Sequence, residues 1–429
     1  MTNMDSFKIL GGNKISGTFT PRGNKNAALP MIAASLLTDE EVIISNVPRI
    51  RDVVFMLELI GSLGAEWSWR EDHQLRIKAS RITTTELDSN LCKKIRASIL
   101  LAGPLLARCG EVKIPPPGGD VIGRRRLDTH FQSFASMGIS CHMAGNYYCL
   151  KADHGLQPAV IFLDEPSVTG TENALMASAG IAGEVVIKNA ASEPHIQDLC
   201  TMLSSMGVAI TGSGTNNLVI KGNKALKGTT VRVCSDHIEI GSLIALAAIT
   251  KSDLTIEPVK LEYIHPIVFH FKRLGIEVQI NQSKLTVSSN QSLEIKPDIG
   301  NAIPTLADGP WPSFPADLTS IALVIATQAK GTVLIFEKMF ESRMFFVDKL
   351  VSMGARIVLC DPHRAVVVGP SKLSAQHLSS PDIRAGMALL IAASIAQGES
   401  IIDNAHQIDR GYESLDVRLA DLGLDITRV

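Results

Sequence analysis

The sequence predicts an α/β protein of two domains, built from six copies of one unit of about 70 residues. Three features that recur along the chain support this: a glycine phrase, an alanine-rich apolar run and a short β-like run. The phrase places a glycine between two apolar residues and occurs at Leu63-Gly64-Ala65, Met137-Gly138-Ile139, Met206-Gly207-Val208, Leu274-Gly275-Ile276, Met353-Gly354-Ala355 and Leu422-Gly423-Leu424. Because the six copies are nearly evenly spaced, the repeat fills essentially the whole chain.

The first element of each unit is a run of small apolar residues. These runs are apolar nearly all round, which is typical of a helix buried among its neighbours. They span residues 27–37, 97–107, 174–182, 242–248, 318–329 and 385–396. We therefore expect six interior helices.

A β-like run follows the small-residue helix in most units, for example at residues 42–44, 185–187, 333–335 and 400–402. An amphipathic helix then leads to the glycine of the phrase. Glycine suits the left-handed residue that closes a helix, and another strand is predicted beyond it. The unit is therefore roughly strand, helix, strand, helix, strand.

Composition predicts a protein that buries a large core. The chain has 429 residues, of which 45% are hydrophobic and 20% charged, with a net charge of −2. This near-neutral balance argues against nucleic acid or an anionic membrane surface as a partner, since both require a sustained basic field. No apolar run reaches the roughly 18 residues of a spanning helix, and residues 1–8 lack a signal-peptide pattern. We expect a cytoplasmic protein of two domains.

The seven cysteines contain no Cys-x-x-Cys pair, so the sequence predicts neither a zinc site nor a disulfide framework. Free cysteines are usually small buried hydrophobic residues, and we interpret these as core or incidental thiols. No cofactor or metal motif appears elsewhere. We expect a site that works without a metal or a cofactor.

Unusual charges stand at the starts of the small-residue helices. Lys25, Arg96 and Arg384 each lie where a cation opposes the helix dipole, which costs stability unless an anion binds there. The other starts carry polar or acidic groups, namely Thr171-Glu172-Asn173, residues 236–239 and Asp317, with Asp382 two residues before Arg384. Asp317 has the alternative explanation of a helix N-cap. The three cations indicate an anionic ligand.

Arginines also precede the second, amphipathic helices. They comprise the triple arginine at 124–126, Arg343 and Arg410. The guanidinium fork matches the paired oxygens of phosphates and carboxylates. The triple arginine directly follows a Pro- and Gly-rich loop, residues 115–123, which carries Asp120. Such a loop could close over a substrate and deliver that acidic residue to it.

Seven phrases spread over the whole chain resemble the enolpyruvyl transferase family, in particular the branch that uses UDP-N-acetylglucosamine. They are Gly23-Asn24-Lys25-Asn26-Ala27-Ala28-Leu29-Pro30, Arg96-Ala97-Ser98-Ile99, Pro117-Gly118-Gly119, Ile122-Gly123, Phe314-Pro315-Ala316-Asp317, Asp382-Ile383-Arg384-Ala385 and Ile408-Asp409-Arg410-Gly411-Tyr412-Glu413. The resemblance implies an inside-out α/β barrel in each of two domains, with three units per domain and the helices inside. It places residues 1–20 and 236–429 in one domain and residues 21–235 in the other.

The resemblance also implies a reaction in which the enolpyruvyl group of phosphoenolpyruvate moves to the 3'-hydroxyl of UDP-N-acetylglucosamine and phosphate leaves. Such an addition and elimination requires an acid, a base and cations. By resemblance Asp120 is the acid and Asp317 the base. Lys25, Arg125 and Arg410 are then expected to hold phosphoenolpyruvate.

Further roles follow from the same resemblance. Arg96 is expected to line the phosphoenolpyruvate pocket and assist the nucleotide sugar, Asp382 and Arg384 to support proton transfer and closure, and Arg343 to lie in the cleft. The residues expected to contact the UDP-sugar are Asn26, Arg125, Arg126, Leu127, Asp128, Thr129, Ser167, Val168 and Met339. Both substrates are small molecules.

Two positions depart from the family pattern. Most members carry a cysteine where this chain has Asp120, and that thiol is the group that the epoxide fosfomycin alkylates. A carboxylate is a weak nucleophile compared with a thiolate, so resistance to fosfomycin is expected. Glu165 lies where some members place a basic residue near the nucleotide, so a phosphate contact is missing or is replaced by Arg124 or Arg126.

Other functions stay open at this point. An enzyme acting on shikimate 3-phosphate is expected to show a Lys-Ser pair where this chain has Lys25-Asn26. A paralogue acting on UMP or another UDP-sugar, or a non-catalytic binding paralogue, is a further alternative. The last of these is disfavoured because Lys25, Asp317 and Arg410 are all present. His130 and His406 are interpreted as structural residues.

Overall fold

Six β-sheets and two groups of buried helices make up the fold in the computed structural model, which describes residues 5–119 and 126–429. The strands are β1 Phe7–Leu10, β2 Ser16–Phe19, β3 Glu41–Ser45, β4 Glu66–Glu71, β5 Gln74–Lys78, β6 Glu111–Ile114, β7 Ser140–Ala144, β8 Tyr147–Lys151, β9 Val160–Phe162, β10 Glu184–Lys188, β11 Ala209–Thr211, β12 Asn217–Lys221, β13 Thr229–Arg232, β14 Asp253–Ile256, β15 Val278–Asn281, β16 Lys284–Val287, β17 Thr305–Ala307, β18 Gly331–Phe336, β19 Arg356–Asp361, β20 Arg364–Gly369, β21 His377–Ser379, β22 Glu399–Asp403 and β23 Ile426–Arg428.

The α-helices are α1 Lys25–Ala34, α2 Arg51–Ser62, α3 Ser89–Cys92, α4 Ala102–Cys109, α5 Asp128–Ser136, α6 Val168–Ser178, α7 Pro194–Ser205, α8 His237–Ile249, α9 Leu261–Arg273, α10 Thr319–Gln328, α11 Val347–Ser352, α12 Ile383–Ala393, α13 Ala405–Ile408 and α14 Leu415–Asp421. Short 3-10 helices span Ser35–Leu37, Arg96–Leu101, Ile299–Asn301 and Ala316–Leu318. Among the described residues, no helix is long and apolar enough to cross a membrane.

The chain divides into two compact units, each with three of the six sheets. The first unit holds residues 5–22 and Ser235–Val429, and the second holds residues 23–119 and 126–234. The sheets of the first unit have the strand orders β21-β22-β1-β23, β15-β16-β14-β2 and β17-β18-β20-β19. Those of the second unit are β11-β12-β10-β9, β13-β3-β5-β4 and β6-β8-β7.

The helices α8, α10 and α12 form the interior of the first unit. They pack against one another, and every residue of α8 and α12 is buried. Small residues allow this close approach, while the strands alternate buried and exposed positions, as β22 shows. Helices inside and sheets outside are the arrangement expected from the sequence.

The second unit repeats this plan with α1, α4 and α6. Helices α4 and α6 pack closely, and α1 and α6 both contact the 3-10 helix that precedes α4. The predicted strands at 42–44, 185–187, 333–335 and 400–402 are confirmed as β3, β10, β18 and β22. The six glycines of the recurring phrase all have positive φ, from 81° at Gly138 to 106° at Gly207 and Gly354, as expected for residues that close a helix.

Several predicted boundaries are wrong. The third interior helix begins at Val168, so Thr171, Glu172 and Asn173 lie inside it and are buried. Burial, reinforced by the nearby Glu193, raises the pKa of Glu172 well above its ordinary value. The second and fifth interior helices begin as 3-10 turns. A two-stranded antiparallel hairpin rather than a single strand follows the glycine, as in β4 and β5.

Candidate active site

Asp317 in the first unit lies between two buried arginines. Arg343 donates from Nη2 to Asp317 Oδ1 at 2.8 Å, and Arg384 donates from Nε to Asp317 Oδ2 at 2.9 Å, with its Nη2 in an ion pair with the same oxygen at 2.8 Å. The two arginine side chains are 4% and 6% exposed, whereas that of Asp317 is 25% exposed. A carboxylate that is held by two cations and is still 25% exposed can accept a proton from a bound hydroxyl.

The turn that carries Asp317 tests whether this residue caps the helix that follows. The 3-10 helix Ala316–Leu318 has Pro315 as its N-cap, and neither it nor α10 has a side-chain cap. The interpretation of Asp317 as an N-cap is therefore wrong. Its carboxylate is used by the two arginines instead.

Arg384 is positioned by the start of α12. Asp382 is the N-cap of that helix and accepts from the backbone N–H groups of Arg384 at 2.8 Å and Ala385 at 3.0 Å. Burial acts to lower the pKa of Arg384, but Asp317, Tyr412 and Asp236 outweigh it and raise that pKa, so the guanidinium stays charged. Asp382 thus fixes the backbone that carries the cation.

Two neighbours complete the surroundings of Arg384. Its Nη1 donates to the Tyr412 hydroxyl at 3.3 Å, and that hydroxyl lies 3.2 Å from Ser242 Oγ in α8. Gly386, one turn into α12, has no room for a side chain, because a Cβ would clash with Ser380 Oγ and lie 2.6 Å from Ile408 Cγ1. Tyr412, Ser380 and Ile408 therefore hold the start of α12 in place.

His237, the first residue of α8, is a neutral neighbour of this cluster. Burial, assisted by the Arg384 charge and opposed by Asp317, lowers the pKa of His237 to about 4. The edge of its ring contacts Trp311 with centroids 5.9 Å apart. Trp311, which lies six residues before Asp317, therefore packs against a histidine.

A second pair of carboxyl groups supports Arg343 from behind. Glu337 is fully buried and Asp308 is 2% exposed. Glu337 Oε1 accepts from the backbone N–H groups of Met339 and Phe340 at 3.3 and 3.1 Å, and Glu337 Oε2 lies 3.9 Å from Arg343 Nε. Met339, a predicted UDP-sugar contact, is thereby placed on the segment that leads to Arg343.

Arg410 follows α13, and an ionic cluster holds the residue before it. Arg410 Nη1 donates to Gln407 Oε1 at 3.2 Å. Asp409 accepts two hydrogen bonds from Arg428 at 2.9 and 2.8 Å, and Arg428 also binds Asp5 and Asp416. The last strand of the chain therefore fastens the backbone beside Arg410.

In the second unit, Lys25 is the first residue of α1 and pairs with Asp52. Its Nζ lies 3.4 Å from Asp52 Oδ2, and the two side chains are 13% and 6% exposed. Asn24 caps the helix by accepting from Ala27 N at 2.9 Å, and Asn26 is the second helical residue. A largely buried ammonium at a helix start is a group suited to an anionic ligand.

Gly118 and Gly119 of the glycine-rich loop lie against the start of the helix that carries Arg96. A Cβ on Gly118 would clash with the Lys93 carbonyl, and one on Gly119, whose φ is 109°, would lie 2.8 Å from Arg96 Cβ. Arg96 donates from Nη2 to the Arg126 carbonyl at 3.1 Å. Arg96 is thus in contact with Arg126, three residues beyond the loop. The predicted residues Asp120 and Arg125 lie outside the described residues.

Arg126 belongs to an acidic cluster near the starts of α5 and α6. It binds Asp128 at 3.0 Å and Asp164 at 3.3 Å, and the hydrogen bond that it donates to Asp128 contributes most to raising its pKa. Thr129 donates to the other oxygen of Asp164 at 2.6 Å. The arginine fork is therefore occupied by carboxylates of its own unit, which sequence reasoning did not anticipate.

The remaining predicted acceptor contacts lie at helix starts. Leu127 is the N-cap of α5 and is 9% exposed, while Ser167 caps α6 by accepting from Gly170 N at 3.2 Å. Val168 is the first residue of α6 and packs partly against the core. His130 in α5 binds Asn173 at 2.9 Å and Thr169 at 3.1 Å.

Within the units, the structure brings together some predicted residues and adds others. Asp317, Arg343 and Arg384 form one cluster, and Arg96 meets Arg126. The partners that sequence reasoning missed are Asp52, Asp164, Asp308, Glu337 and Tyr412. A signal was available for Glu337, since an acidic residue directly follows an apolar strand there.

Comparison with known proteins shows the family of the chain. A family profile described as EPSP synthase (3-phosphoshikimate 1-carboxyvinyltransferase) matches residues 9–419. A relative from Bradyrhizobium diazoefficiens, named UDP-N-acetylglucosamine 1-carboxyvinyltransferase, is 55% identical over 421 residues, covering 98% of this chain and 97% of its own. One of the same name from Treponema denticola is 52% identical, with 99% of each chain covered.

Solved structures show the same fold at low sequence identity. The enolpyruvyl transferase NikO from Streptomyces tendae superposes with a TM-score of 0.88 at 23% identity, with 99% of each chain covered. EPSP synthase from Acinetobacter baumannii gives a TM-score of 0.74 at 16% identity, covering 99% of this chain and all of its own. The predicted α/β enolpyruvyl transferase fold is confirmed. The chain is a transferase that belongs to the EPSP synthase family, together with the UDP-N-acetylglucosamine 1-carboxyvinyltransferases.

Proposed function

We propose that this protein transfers the enolpyruvyl group of phosphoenolpyruvate to the 3'-hydroxyl of UDP-N-acetylglucosamine and releases phosphate. The observation that carries the proposal is the Asp317 carboxylate, held by Arg343 and Arg384 and still 25% exposed. The relatives at 52–55% identity carry the name of this activity. The product would enter peptidoglycan synthesis, and a cytoplasmic location is part of the proposal.

The first half of the reaction needs a base and an acid. Asp317 takes the proton of the acceptor hydroxyl, and the hydroxyl oxygen attacks C2 of phosphoenolpyruvate. Asp120 gives a proton to the methylene carbon, C3, so a tetrahedral ketal forms without a free carbanion. In the second half C3 loses a proton, the double bond re-forms between C2 and C3, and phosphate leaves.

Cationic side chains are proposed to neutralise the negative charge of phosphoenolpyruvate. Lys25, Arg125 and Arg410 are proposed to bind its phosphate and carboxylate, with Arg96 beside them. Lys25 has the burial that strengthens such an interaction, and Asp52 holds it in place. Asp382 takes part by fixing Arg384, whose charge keeps Asp317 oriented and favours its ionised form.

The acceptor is proposed to contact residues at helix starts of the second unit, and Met339 is a further candidate contact. Asn26, Arg126, Leu127, Asp128, Thr129, Ser167 and Val168 are the candidate contacts. Arg126 is already bound by Asp128 and Asp164. Because these carboxylates occupy its guanidinium, the backbone of Arg126 and the polar groups of α5 are equally good candidates for hydrogen bonds to the nucleotide.

The experiment is a phosphate-release assay with phosphoenolpyruvate and a panel of acceptors. UDP-N-acetylglucosamine is expected to support turnover, whereas UMP and shikimate 3-phosphate are not. Asp317→Asn serves as the inactive control because it keeps the shape of the side chain and removes the base. Turnover with UMP or shikimate 3-phosphate in place of UDP-N-acetylglucosamine would refute the assigned acceptor, and no turnover with any acceptor would favour a binding paralogue.

A further inference from the structure

The buried carboxyl groups of Asp308 and Glu337 are brought together by the sheet. Strands β17 and β18 are parallel, and Ala307 is in register with Phe336. Asp308 directly follows β17 and Glu337 directly follows β18, so the two residues lie side by side where these strands end. Both are essentially inaccessible to solvent.

Each of these carboxyl groups uses one oxygen to hold backbone. Asp308 Oδ1 accepts from Lys338 N at 2.5 Å, and Glu337 Oε1 accepts from the N–H groups of Met339 and Phe340. The other two oxygens, Asp308 Oδ2 and Glu337 Oε2, are buried and accept no hydrogen bond from a donor group of the described residues. Two adjacent buried carboxylates with free inner oxygens repel each other unless a proton lies between them.

We propose that Asp308 and Glu337 share one proton and that the pair positions the Met339 backbone and Arg343 for the acceptor substrate. The shared proton satisfies both inner oxygens with one short hydrogen bond. The single remaining negative charge faces Arg343 Nε, 3.9 Å from Glu337 Oε2. Arg343 is thus held between this pair and Asp317, which fixes the base in turn.

The surroundings support one proton rather than none or two. Burial raises the pKa of Glu337 to about 9, with Asp308 adding to the effect and Arg343 opposing it. The Thr319 hydroxyl at the start of α10 also faces Glu337 and, like Arg343, acts to lower its pKa, while His363 Nδ1 contacts the backbone carbonyl of Glu337 at 2.8 Å. Full protonation would leave Arg343 Nε without a counter-charge, and full ionisation would place two charges in a dry site.

The proposal rests on the proposed function for its acceptor, and its experiments separate the two. Difference infrared spectra near pH 7 would compare the native protein with Glu337→Gln. The carbonyl stretch of a protonated carboxylic acid is expected in the native protein and is expected to be lost from the pair in the variant. Identical spectra in that region would overturn the shared proton, whether or not the protein shows any turnover.

The positioning role is tested by calorimetric binding of UDP-N-acetylglucosamine to folded variants. Glu337→Ala is expected to weaken binding at least about tenfold, while the KM for phosphoenolpyruvate changes less than about threefold. Glu337→Gln and Asp308→Asn each keep one donor and one acceptor in the pair. Both are expected to bind within about threefold of the native protein at neutral pH.

Two further variants keep the result interpretable. The double variant Asp308→Asn with Glu337→Gln has no negative charge behind Arg343 and is expected to bind as weakly as Glu337→Ala. Glu239→Gln is the matched control, since Glu239 is equally buried in the same unit but binds Arg418. If Glu337→Ala binds normally, or if both single amides bind as weakly as it does, the positioning role is overturned. Native protein that does not bind the acceptor would instead refute the proposed function and this role together.

Discussion

Arg384 donates a hydrogen bond from Nε to Asp317 Oδ2 at 2.9 Å, and its Nη2 forms an ion pair with the same oxygen at 2.8 Å. With Arg343 on the other oxygen, both guanidinium groups are nearly inaccessible, so the carboxylate between them is their counter-charge. Removing it would leave two buried cations facing each other. The first prediction concerns this arrangement.

Asp317→Asn is expected to lower turnover by about 10²- to 10⁴-fold, the usual effect of losing a general base. Asp317→Ala is expected to cost about 3–5 kcal/mol of unfolding free energy in addition, because it breaks a buried ion pair from one side. Phosphate release and urea unfolding measure the two effects. An Asp317→Ala protein as stable as the native one would contradict the proposed electrostatic role of the carboxylate.

Asp52→Asn is expected to weaken phosphoenolpyruvate binding through Lys25. The lysine loses the charge that holds its ammonium in a site where it is 13% exposed, so the ammonium is less firmly positioned for an anionic substrate. An increase of about tenfold in the KM for phosphoenolpyruvate is expected. The KM for the acceptor serves as the internal control, and an equal rise in both would indicate a general disturbance of the second unit.

His130 is expected to contribute an unfolding free energy that decreases at acidic pH. Burial, assisted by the Arg96 charge, lowers the pKa of His130 to about 3. The unfolded chain takes up this proton below about pH 6.5, so the contribution is lost as pH falls from there towards 3. The difference in unfolding free energy between the native protein and His130→Gln should shrink by up to about 1.4 kcal/mol per pH unit between roughly pH 6 and pH 4.

The matched control for that experiment is His142→Gln, since His142 is exposed on β7. Its difference from the native protein should stay nearly constant over the same range. Urea unfolding at several pH values measures both variants. A His130→Gln difference that does not change with pH would show that His130 titrates normally in the folded protein.

Fosfomycin is not expected to form an adduct with this protein, because the loop carries Asp120 where reactive relatives carry a thiol. Burial raises the pKa of Cys92 to about 12 and that of Cys200 to about 11, so these two thiols are poor nucleophiles. Asp120→Cys is expected to gain an adduct, detected by intact mass. An adduct on Asp120 in the native protein would contradict the prediction, and full turnover by Asp120→Asn would remove Asp120 as the proton donor.

Arg428→Ala is expected to raise the KM for phosphoenolpyruvate by a few-fold and to cost about 1 kcal/mol of unfolding free energy, since the ion pairs are partly exposed. Asp409 then loses both of its hydrogen bonds from Arg428, and the backbone before Arg410 is less firmly held. Arg356→Ala, another partly exposed arginine of the same unit, is the control. Equal effects of the two substitutions would exclude a specific influence on Arg410.

The repeat made the fold predictable, whereas the buried partners of the site depend on tertiary register. A backbone position with φ near 100°, as at Gly64, requires glycine for local reasons. Such a glycine can therefore be recognised from a single sequence. Asp52 could not be identified in this way, because an acidic residue in the first turn of α2 is equally explained by the helix dipole. Asp308 and Glu337 become neighbours only through the pairing of β17 with β18.

The same limit applies to Asp317 and Asp382. Both stand just before small-residue helices, and both fit the N-cap pattern. Asp382 is a cap, but Asp317 is an ion-pair partner, because Arg343 reaches it from a different part of the chain. Sequence position alone does not distinguish a carboxylate that satisfies backbone from one that faces two guanidinium groups.

Gly386 lies two residues after Arg384. Ser380 and Ile408 occupy the space that a side chain at this position would need. Any larger residue there forces α12 to shift or its neighbours to yield, and the guanidinium at the helix start shifts with it. Random mutagenesis that selects for loss of turnover should therefore recover substitutions of this glycine as often as those of chemically active side chains. A map of intolerant positions would then report steric fit as well as chemistry.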